Sequence, residues 1–230
     1  MPAIELGPLV QGSVVSRANR FAVLVEVGGR QVKAYLPNSG RLEELLAPGT
    51  PAWLAYRPGP TRTTQYDLVL VRVGGTYVSV DARLPHRFLA LALGELPGFA
   101  EWRLLEREPR RGRGRFDLLL GRGRERMYVE CKSVTLVRSG TGLFPDAPTA
   151  RGARHLAELT RALREGYWSR VVFVVGRSDV AEVRPNDETD PAFGRALREA
   201  ASAGVEVMAL ALRVDPERIE FDRCIPVRLR

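Results

Sequence analysis

The chain has 230 residues, 45% hydrophobic and 27% charged, so its composition excludes a disordered or collagen-like protein and its length suits two compact domains. No apolar run reaches the roughly 18 residues of a membrane span, the N-terminus lacks the pattern of a secretory signal, and two cysteines cannot form a disulfide framework, so we expect a cytoplasmic protein with no membrane partner. A formal net charge of +8 favours polyanionic partners.

Residues 1–81 show the alternating pattern of an all-β domain. Strands are predicted over 9–17, 21–29, 30–38, 50–58, 67–75 and 76–81. Two Gly-Gly pairs supply hairpin turns, and a short helix is predicted over 41–46. Five or six short strands around one small helix predict a closed barrel of the OB type, which often binds nucleic acid. The alternative is a barrel that only supports the second domain.

From residue 82 onward the pattern changes to alternating helices and strands. Helices are predicted over 86–96, 150–165 and 192–203, and strands over 102–108, 115–120, 126–137, 171–176 and 205–214. The resulting order, α-β-β-β-α-β-α-β, predicts an α/β domain with a mixed sheet over residues 82–230.

Three residues of this predicted sheet form a candidate site. Glu130 and Lys132 are two residues apart on one strand, so their side chains share a face while the Cys131 side chain points away. If the connecting turn is centred at residues 123–124, Asp117 lies directly opposite Glu130, with the two Cβ atoms about 5 Å apart.

Two carboxylates at that distance repel each other unless a cation lies between them. A hard divalent ion, Mg²⁺ or Mn²⁺, prefers such oxygen ligands, and the backbone carbonyl of Cys131 is a third candidate ligand. A metal that activates water, next to a lysine that stabilises negative charge, suits phosphodiester hydrolysis. The alternative is a cross-strand salt bridge on a solvated sheet face, because this spacing also occurs by chance.

Basic residues are concentrated around Asp117. Residues 103–126 hold nine arginines and four acidic residues, and every basic residue of the chain except Lys33 and Lys132 is arginine. This cluster predicts contacts with DNA phosphates that are largely independent of sequence, the alternative being a solvated surface. The candidate DNA-binding residues are Arg110, Arg111, Arg113, Arg115, Arg151, Arg154 and His155. For His155 the alternative is a hydrogen-bonded structural residue.

The order of helix, strand, Asp on a second strand and Glu-x-Lys on a third resembles the PD-(D/E)XK nuclease superfamily. More narrowly, five segments in order along most of the chain resemble the sugar fermentation stimulation protein A family: PNSG (37–40), RFD (115–117), YVECKSVTL (128–136), FPDA (144–147) and RG-x-RHL (151–156). This resemblance implies an OB-like domain followed by a nuclease-like domain, DNA binding, and a link to the regulation of sugar utilisation, especially of maltose.

The resemblance also implies roles for individual residues. Asp117, Glu130 and Lys132 occupy the positions of the superfamily's metal-binding and catalytic residues. Glu95 or Glu106 is a candidate additional acid, for which a surface charge is the alternative.

Two functions remain open from the sequence. One is a DNA-binding protein with a metal-dependent nuclease site, and the other is a non-enzymatic DNA-binding regulator of sugar metabolism on a nuclease scaffold. A carbohydrate-binding barrel is disfavoured, because no aromatic platform is evident and net positive charge does not help to bind neutral sugars.

Overall fold

The computed structural model of the chain describes residues 3–112 and 114–230. The predicted DNA-binding residue Arg113 therefore lies outside the described residues. In the described part of the chain, no helix is long and apolar enough to cross a membrane. The cytoplasmic location stays a prediction.

The first third of the chain is built from strands. They are β1 (Ala3–Glu5), β2 (Leu9–Asn19), β3 (Ala22–Val27), β4 (Arg30–Tyr35), β5 (Pro51–Tyr56), β6 (Tyr66–Val73) and β7 (Thr76–Ser79). Strand β2 pairs with β3 and β5, β3 pairs with β4, and β5 pairs with β6. A parallel contact between β4 and β6, at Ala34 and Tyr66, closes the ring. This strand order is that of an OB barrel, which confirms the predicted fold of the N-terminal domain.

The predicted helix over 41–46 is wrong, because the segment forms turns instead. Leu42 has φ 53°, a left-handed conformation that a helix of L-residues does not accept. The loop is fixed upstream by Asn38, whose side-chain oxygen accepts from the Gly40 N–H at 2.8 Å. Leu42 and Leu45 are buried in the barrel core, so the hydrophobic spacing that resembled a helix reflects a loop that closes the barrel.

The rest of the chain alternates helices with strands. Its elements are α1 (Leu84–Ala92) with a 3₁₀ turn (Leu93–Glu95), β8 (Arg103–Arg107), β9 (Arg110–Arg111), β10 (Gly114–Arg115), β11 (Leu118–Arg122), β12 (Glu125–Val134), β13 (Leu136–Arg138), β14 (Thr141–Phe144), α2 (Ala150–Arg164), β15 (Trp168–Val175), β16 (Glu182–Pro185), α3 (Pro191–Ser202), β17 (Glu206–Val214) and β18 (Arg218–Ile225). The predicted helix–strand order is present, with additional short strands between the predicted elements.

The main sheet of the second domain is mixed, as predicted. Its strand order is β1-β18-β17-β15-β12-β11-β8, and β12, β15 and β17 run parallel to one another. Leu156 of α2 and Phe193 of α3 pack on one face, in a core with Phe173 of β15. Phe88 of α1 packs on the other face, in a core with Val129 of β12. The sheet is thus covered on both sides, which explains its almost continuous apolar strands.

The two domains are connected by a strand pairing and by a common hydrophobic core. Strand β1 pairs with β18, with Ile4 opposite Ile219, so the first strand of the interval 1–81 belongs to the main sheet of the second domain. This added strand covers backbone groups at the edge of the large sheet. Trp53 and Leu70 of the barrel are buried in the same core as Phe88 of α1. The domain boundary near residue 82 stays a prediction, and the barrel and the α/β domain meet over an apolar surface.

Candidate metal centre and nucleic-acid interface

The register of β11 and β12 brings the two acidic residues of the candidate site together. Leu118 is paired with Val129, which is the last pair of the two strands, and Asp117 and Glu130 directly follow that pair. The Asp117 N–H donates to the Val129 carbonyl at 3.2 Å, which keeps the chain in register beyond the last strand residue. The tight turn at Gly123, with φ 57°, sets this alignment.

Asp117 contacts the backbone of the neighbouring strand. Its Oδ2 accepts from the Cys131 N–H at 2.7 Å. Because the N–H and C=O of one strand residue point to the same side, the Cys131 carbonyl is also directed toward Asp117. The Cys131 side chain packs in the α1-side core, and burial, with the nearby Asp117 and Glu130 charges, holds the pKa of its thiol well above the ordinary value. Only the backbone of Cys131 is therefore suited to hold a cation.

Glu130 is 4% exposed and uses one of its two oxygens for hydrogen bonding. Its Oε1 accepts from Lys132 Nζ at 2.6 Å and lies 2.5 Å from Nδ1 of His155. Its Oε2 is buried and has no hydrogen-bond partner among the described residues. An unpaired buried carboxylate oxygen is costly, so this atom occupies a position suited to a cation ligand.

The two carboxyl groups differ in their acidity. Burial, followed by repulsion from Glu130, raises the pKa of Asp117 to about 7, against the opposing effects of the Cys131 N–H, Lys132 and Arg151. Burial also opposes ionisation of Glu130, but the Lys132 charge and the His155 hydrogen bond outweigh it and lower the pKa of Glu130. Glu130 is thus ionised at neutral pH while Asp117 titrates there, and a bound cation would favour the ionised form of both.

These donors fit a hard divalent cation. Within residues 3–112 and 114–230, no group of three or more His, Cys, Asp and Glu side chains is arranged to hold a metal ion. An ion at this pair would take oxygens from Asp117, Glu130 and the Cys131 carbonyl, and water in its other positions. Mg²⁺ accepts such a set, since it usually binds through one or two carboxylates and keeps several waters.

A cavity of about 410 Å³ lies on the far side of His155 from Glu130, and we call it the arginine pocket. Its lining is made of Arg110, Gly112, Gly114, Arg115, Arg151, Arg154 and His155. The residues predicted to bind DNA therefore meet at one place, with the exceptions of Arg111 and the undescribed Arg113. Arg151 Nε donates to His155 Nε2 at 3.3 Å, so the ring proton of His155 is on Nδ1, directed to Glu130.

Arg111 lies apart from its neighbours and does not line the arginine pocket, and its predicted contact with DNA stays a prediction. Its guanidinium lies 5.0 Å from the ring centre of Tyr128 and 4.9 Å from that of Tyr167. It also forms an ion pair with Glu165, and its side chain is 13% exposed. Arg111 is therefore occupied in attaching the β9–β10 hairpin to the domain.

The candidate additional acids do not join the site. Glu95 is exposed on the 3₁₀ turn after α1, and α1 packs on the opposite sheet face from Glu130. Glu106 is exposed on β8 and is paired with Leu119, one strand further from the Glu130 strand. Neither acid lies on the Asp117–Glu130 hairpin, and the expectation that one of them completes the metal site stays a prediction.

A second cavity, of about 450 Å³, separates the barrel from the Glu130–Lys132 strand. It is lined by residues of both domains, including Arg20, Asn38, Gly40, Lys132, Asp146 and Arg151. Gly40 approaches the Asp146 carboxylate so closely that a side chain at position 40 would collide with it. The PNSG and FPDA segments thus face each other across this cavity, an arrangement that sequence reasoning missed because it depends on how the two domains are packed.

Comparisons with known proteins agree with this architecture. The model "SfsA N-terminal OB domain" matches residues 15–80, and the model "Sugar fermentation stimulation protein RE domain" matches residues 83–218. Sugar fermentation stimulation protein homologs of Moorella thermoacetica and Natranaerobius thermophilus are 46% and 45% identical, over 96% and 95% of this chain and 97% and 94% of theirs.

A solved structure is also similar over the whole chain. It is that of Pyrococcus furiosus SfsA in complex with Ca²⁺, with a TM-score of 0.93, 31% sequence identity and 99% of each chain covered. The chain therefore belongs to the sugar fermentation stimulation protein A family, with an N-terminal OB domain followed by a nuclease-like mixed-sheet domain.

Proposed function

We propose that this protein binds DNA, largely independently of sequence, and hydrolyses phosphodiester bonds with a divalent metal held at Asp117 and Glu130. The observation that carries the proposal is the buried carboxylate pair, with Glu130 Oε2 left unpartnered among the described residues and Lys132 beside it. The relative from Pyrococcus furiosus was solved with Ca²⁺, a hard cation with the same preference for oxygen ligands as Mg²⁺ and Mn²⁺.

Each residue has a role that follows from its position. Asp117, Glu130 and the Cys131 carbonyl would hold the metal, which would supply a Lewis acid that polarises the phosphate and lowers the pKa of a bound water. Lys132 stabilises negative charge that develops on the phosphate or orients the attacking water. His155 fixes the orientation of Glu130 through Oε1.

DNA binding is supported by the arginine pocket next to the carboxylate pair. Arginine forms paired hydrogen bonds with phosphate oxygens and always carries its charge. Phosphate contacts position DNA without reading its sequence.

A DNA-binding regulator that does not cleave DNA is the second candidate. One observation favours it: Lys132 already neutralises Glu130 at 2.6 Å, and the pKa of Asp117 near 7 lets the pair persist without a metal. Such a protein would regulate sugar utilisation only by binding to DNA, without cleaving it.

A cleavage assay separates the two functions. The purified protein is incubated with linear, nicked and single-stranded DNA in Mg²⁺, in Mn²⁺ or in EDTA. We expect cleavage with a divalent metal, none in EDTA, and none with Asp117→Asn purified in the same way. Binding of DNA without cleavage under every condition would refute the nuclease function and leave the regulator.

A further inference from the structure

We propose that the arginine pocket binds a terminal phosphomonoester of a DNA strand, so that the neighbouring site acts at strand ends and not at internal positions. This inference rests on the proposed function and names its substrate class. It is argued from the charge, the construction and the position of the pocket.

The charge of the pocket exceeds what an internal phosphate needs. In the part of the chain that the structure describes, four arginines and no acidic side chain line it, and the Glu158 carboxylate beside Gly112 is paired with Arg161. Among the described residues, Arg110, Arg151 and Arg154 form no ion pair, and Arg115 pairs only with the exposed Glu108 at 3.5 Å. An internal phosphodiester carries one negative charge, whereas a terminal phosphate carries about 1.5 to 2 charges near pH 7 and three acceptor oxygens. The terminal group is therefore the better match.

The walls of the pocket are held in place. The β9–β10 hairpin forms one wall and is anchored by Arg111, stacked between Tyr128 and Tyr167. The first turns of α2 form the other wall, and Glu158 on that helix pairs with Arg161 at 3.0 Å. The backbone that carries the four pocket arginines is therefore held in place, so less of the pocket has to be ordered when an anion binds, which favours binding.

Glycines keep the pocket open. A Cβ atom at Gly114 would lie 3.8 Å from His155 Nε2, so a longer side chain there would extend into the space beside the imidazole. Gly112 has φ +55°, a conformation that glycine adopts without strain. The hairpin thus presents backbone and arginine side chains to the cavity.

The pocket is adjacent to the carboxylate pair. Nδ1 of His155 lies 2.5 Å from Glu130 Oε1, and the same residue lines the pocket. One imidazole ring therefore separates the two sites. A phosphate in the pocket and the bond cleaved at the pair are close neighbours on one strand, so the product would be a mononucleotide or a short oligonucleotide.

The test measures binding without metal, so that it does not depend on cleavage. Single-stranded oligonucleotides of about 12 nucleotides, within the site size of an OB fold, carry a 5′-phosphate, a 3′-phosphate or hydroxyls at both ends. Fluorescence anisotropy in EDTA gives the affinity of each for the full-length protein. We expect at least one phosphorylated oligonucleotide to bind about tenfold more tightly than the unphosphorylated one, and the preferred end gives the polarity.

Two double variants complete the test. Arg151→Gln with Arg154→Gln should abolish the preference for a phosphorylated end. Arg164→Gln with Arg195→Gln removes the same charge from exposed positions of α2 and α3 outside the pocket and should retain the preference. Circular dichroism verifies that each variant is folded.

The outcomes separate this inference from the proposed function. Equal affinity of the wild-type protein for all three oligonucleotides overturns the inference, whether or not DNA is cleaved. A preference that survives loss of Arg151 and Arg154 also overturns it. An end preference without cleavage in any metal supports the phosphate pocket and refutes the nuclease function alone.

Discussion

Asp117 and Glu130 show how two carboxyl groups in one site acquire different roles. Glu130 is kept ionised by Lys132 and His155, whereas burial and the Glu130 charge raise the pKa of Asp117 to about 7. Without a metal, the ionised Asp117 is therefore unfavourable in the folded protein. This cost gives the site a dependence on pH that can be measured.

Stability in EDTA should fall as the pH rises. The pKa of Asp117 lies near 7 in the folded protein, against an ordinary value of 3.8, so the folded state holds a proton that the unfolded state has lost between those values. The stabilisation is complete below about pH 4 and is lost as the pH rises through 7, by up to about 4 kcal/mol. Chemical denaturation of the wild type and of Asp117→Asn across this range measures it.

The variant should lack this pH dependence and be more stable than the wild type at pH 8 in EDTA. Adding Mg²⁺ or Mn²⁺ should stabilise the wild type at pH 8 and have no effect on Asp117→Asn, because half of the carboxylate charge is gone. Parallel pH curves for the two proteins would contradict the assignment.

Lys132→Arg separates charge from geometry. The substitution keeps the positive charge, but the guanidinium is larger and planar and fits less well between Glu130 and a bound phosphate. We expect loss of cleavage with unchanged DNA affinity and fold, measured by gel assay and anisotropy. The matched control is Lys33→Arg, because Lys33 is exposed on β4, and this variant should cleave DNA like the wild type. Equal cleavage by both variants would argue against a catalytic role for Lys132.

At the scale of elements, the β9–β10 hairpin forms one wall of the arginine pocket. One of its arginines, Arg111, packs against the rest of the domain. Arg111 is held by two aromatic rings and Glu165. Arg111→Gln should destabilise the protein by about 1 to 2 kcal/mol, since partly buried cation–π contacts are worth about that much. It should also weaken DNA binding, because the hairpin carries Arg110 and Arg115.

A comparison of Arg111→Gln with Arg124→Gln provides the control. Arg124 is exposed on the β11–β12 turn, so its substitution removes the same charge without releasing the hairpin. Thermal unfolding should show a lower midpoint for Arg111→Gln alone. Matching midpoints would show that the stacked guanidinium does not hold the hairpin.

The elements that could be predicted are those whose local pattern agrees with the fold. The alignment of β11 with β12 followed from the turn at Gly123, because a tight hairpin fixes its own pairing. The two-residue strands β9 and β10 are too short to show any periodicity. Strand β18 carries charges at Glu220, Asp222 and Arg223, which conceal its apolar alternation.

Only part of the candidate site could be predicted from the sequence. The carboxylate pair and Lys132 lie on one hairpin, so strand geometry predicted that they are neighbours, whereas their metal-binding and catalytic roles were implied by the family resemblance. The hydrogen bond from α2 to Glu130 through His155 and the burial of Arg111 depend on tertiary packing, which local periodicity does not encode.

At the scale of the whole molecule, the barrel and the α/β domain are joined by a common core. Trp53 of β5 is 8% exposed and is packed in the core that contains Phe88 of α1. Strand β1 adds a second connection by pairing with β18. We therefore expect the two domains to unfold together in one transition.

Trp53→Ala tests this coupling. Removal of a large buried side chain should destabilise the protein by about 3 to 5 kcal/mol. Amide hydrogen exchange should show this loss of stability in both domains. Tyr56→Ala, an exposed residue of the same strand, should have little effect. Independent unfolding of the barrel, or a stable proteolytic fragment beginning near residue 82, would show that the shared core does not couple the domains.

The distribution of charge over the whole molecule predicts how DNA binding responds to salt. The arginine pocket contributes to the net charge of +8. If about six phosphates are contacted, the logarithm of the association constant for DNA should fall with the logarithm of the salt concentration at a slope of about −5.

Arg115→Gln should weaken binding to every DNA sequence alike and make the slope less steep by about 1. Arg218→Gln, on β18 and three strands from β12 in the sheet, should leave the slope unchanged. A slope near zero, or a strong preference for one duplex sequence, would show that base contacts and not phosphate contacts dominate, and the arginine pocket could then not be the main DNA-binding surface.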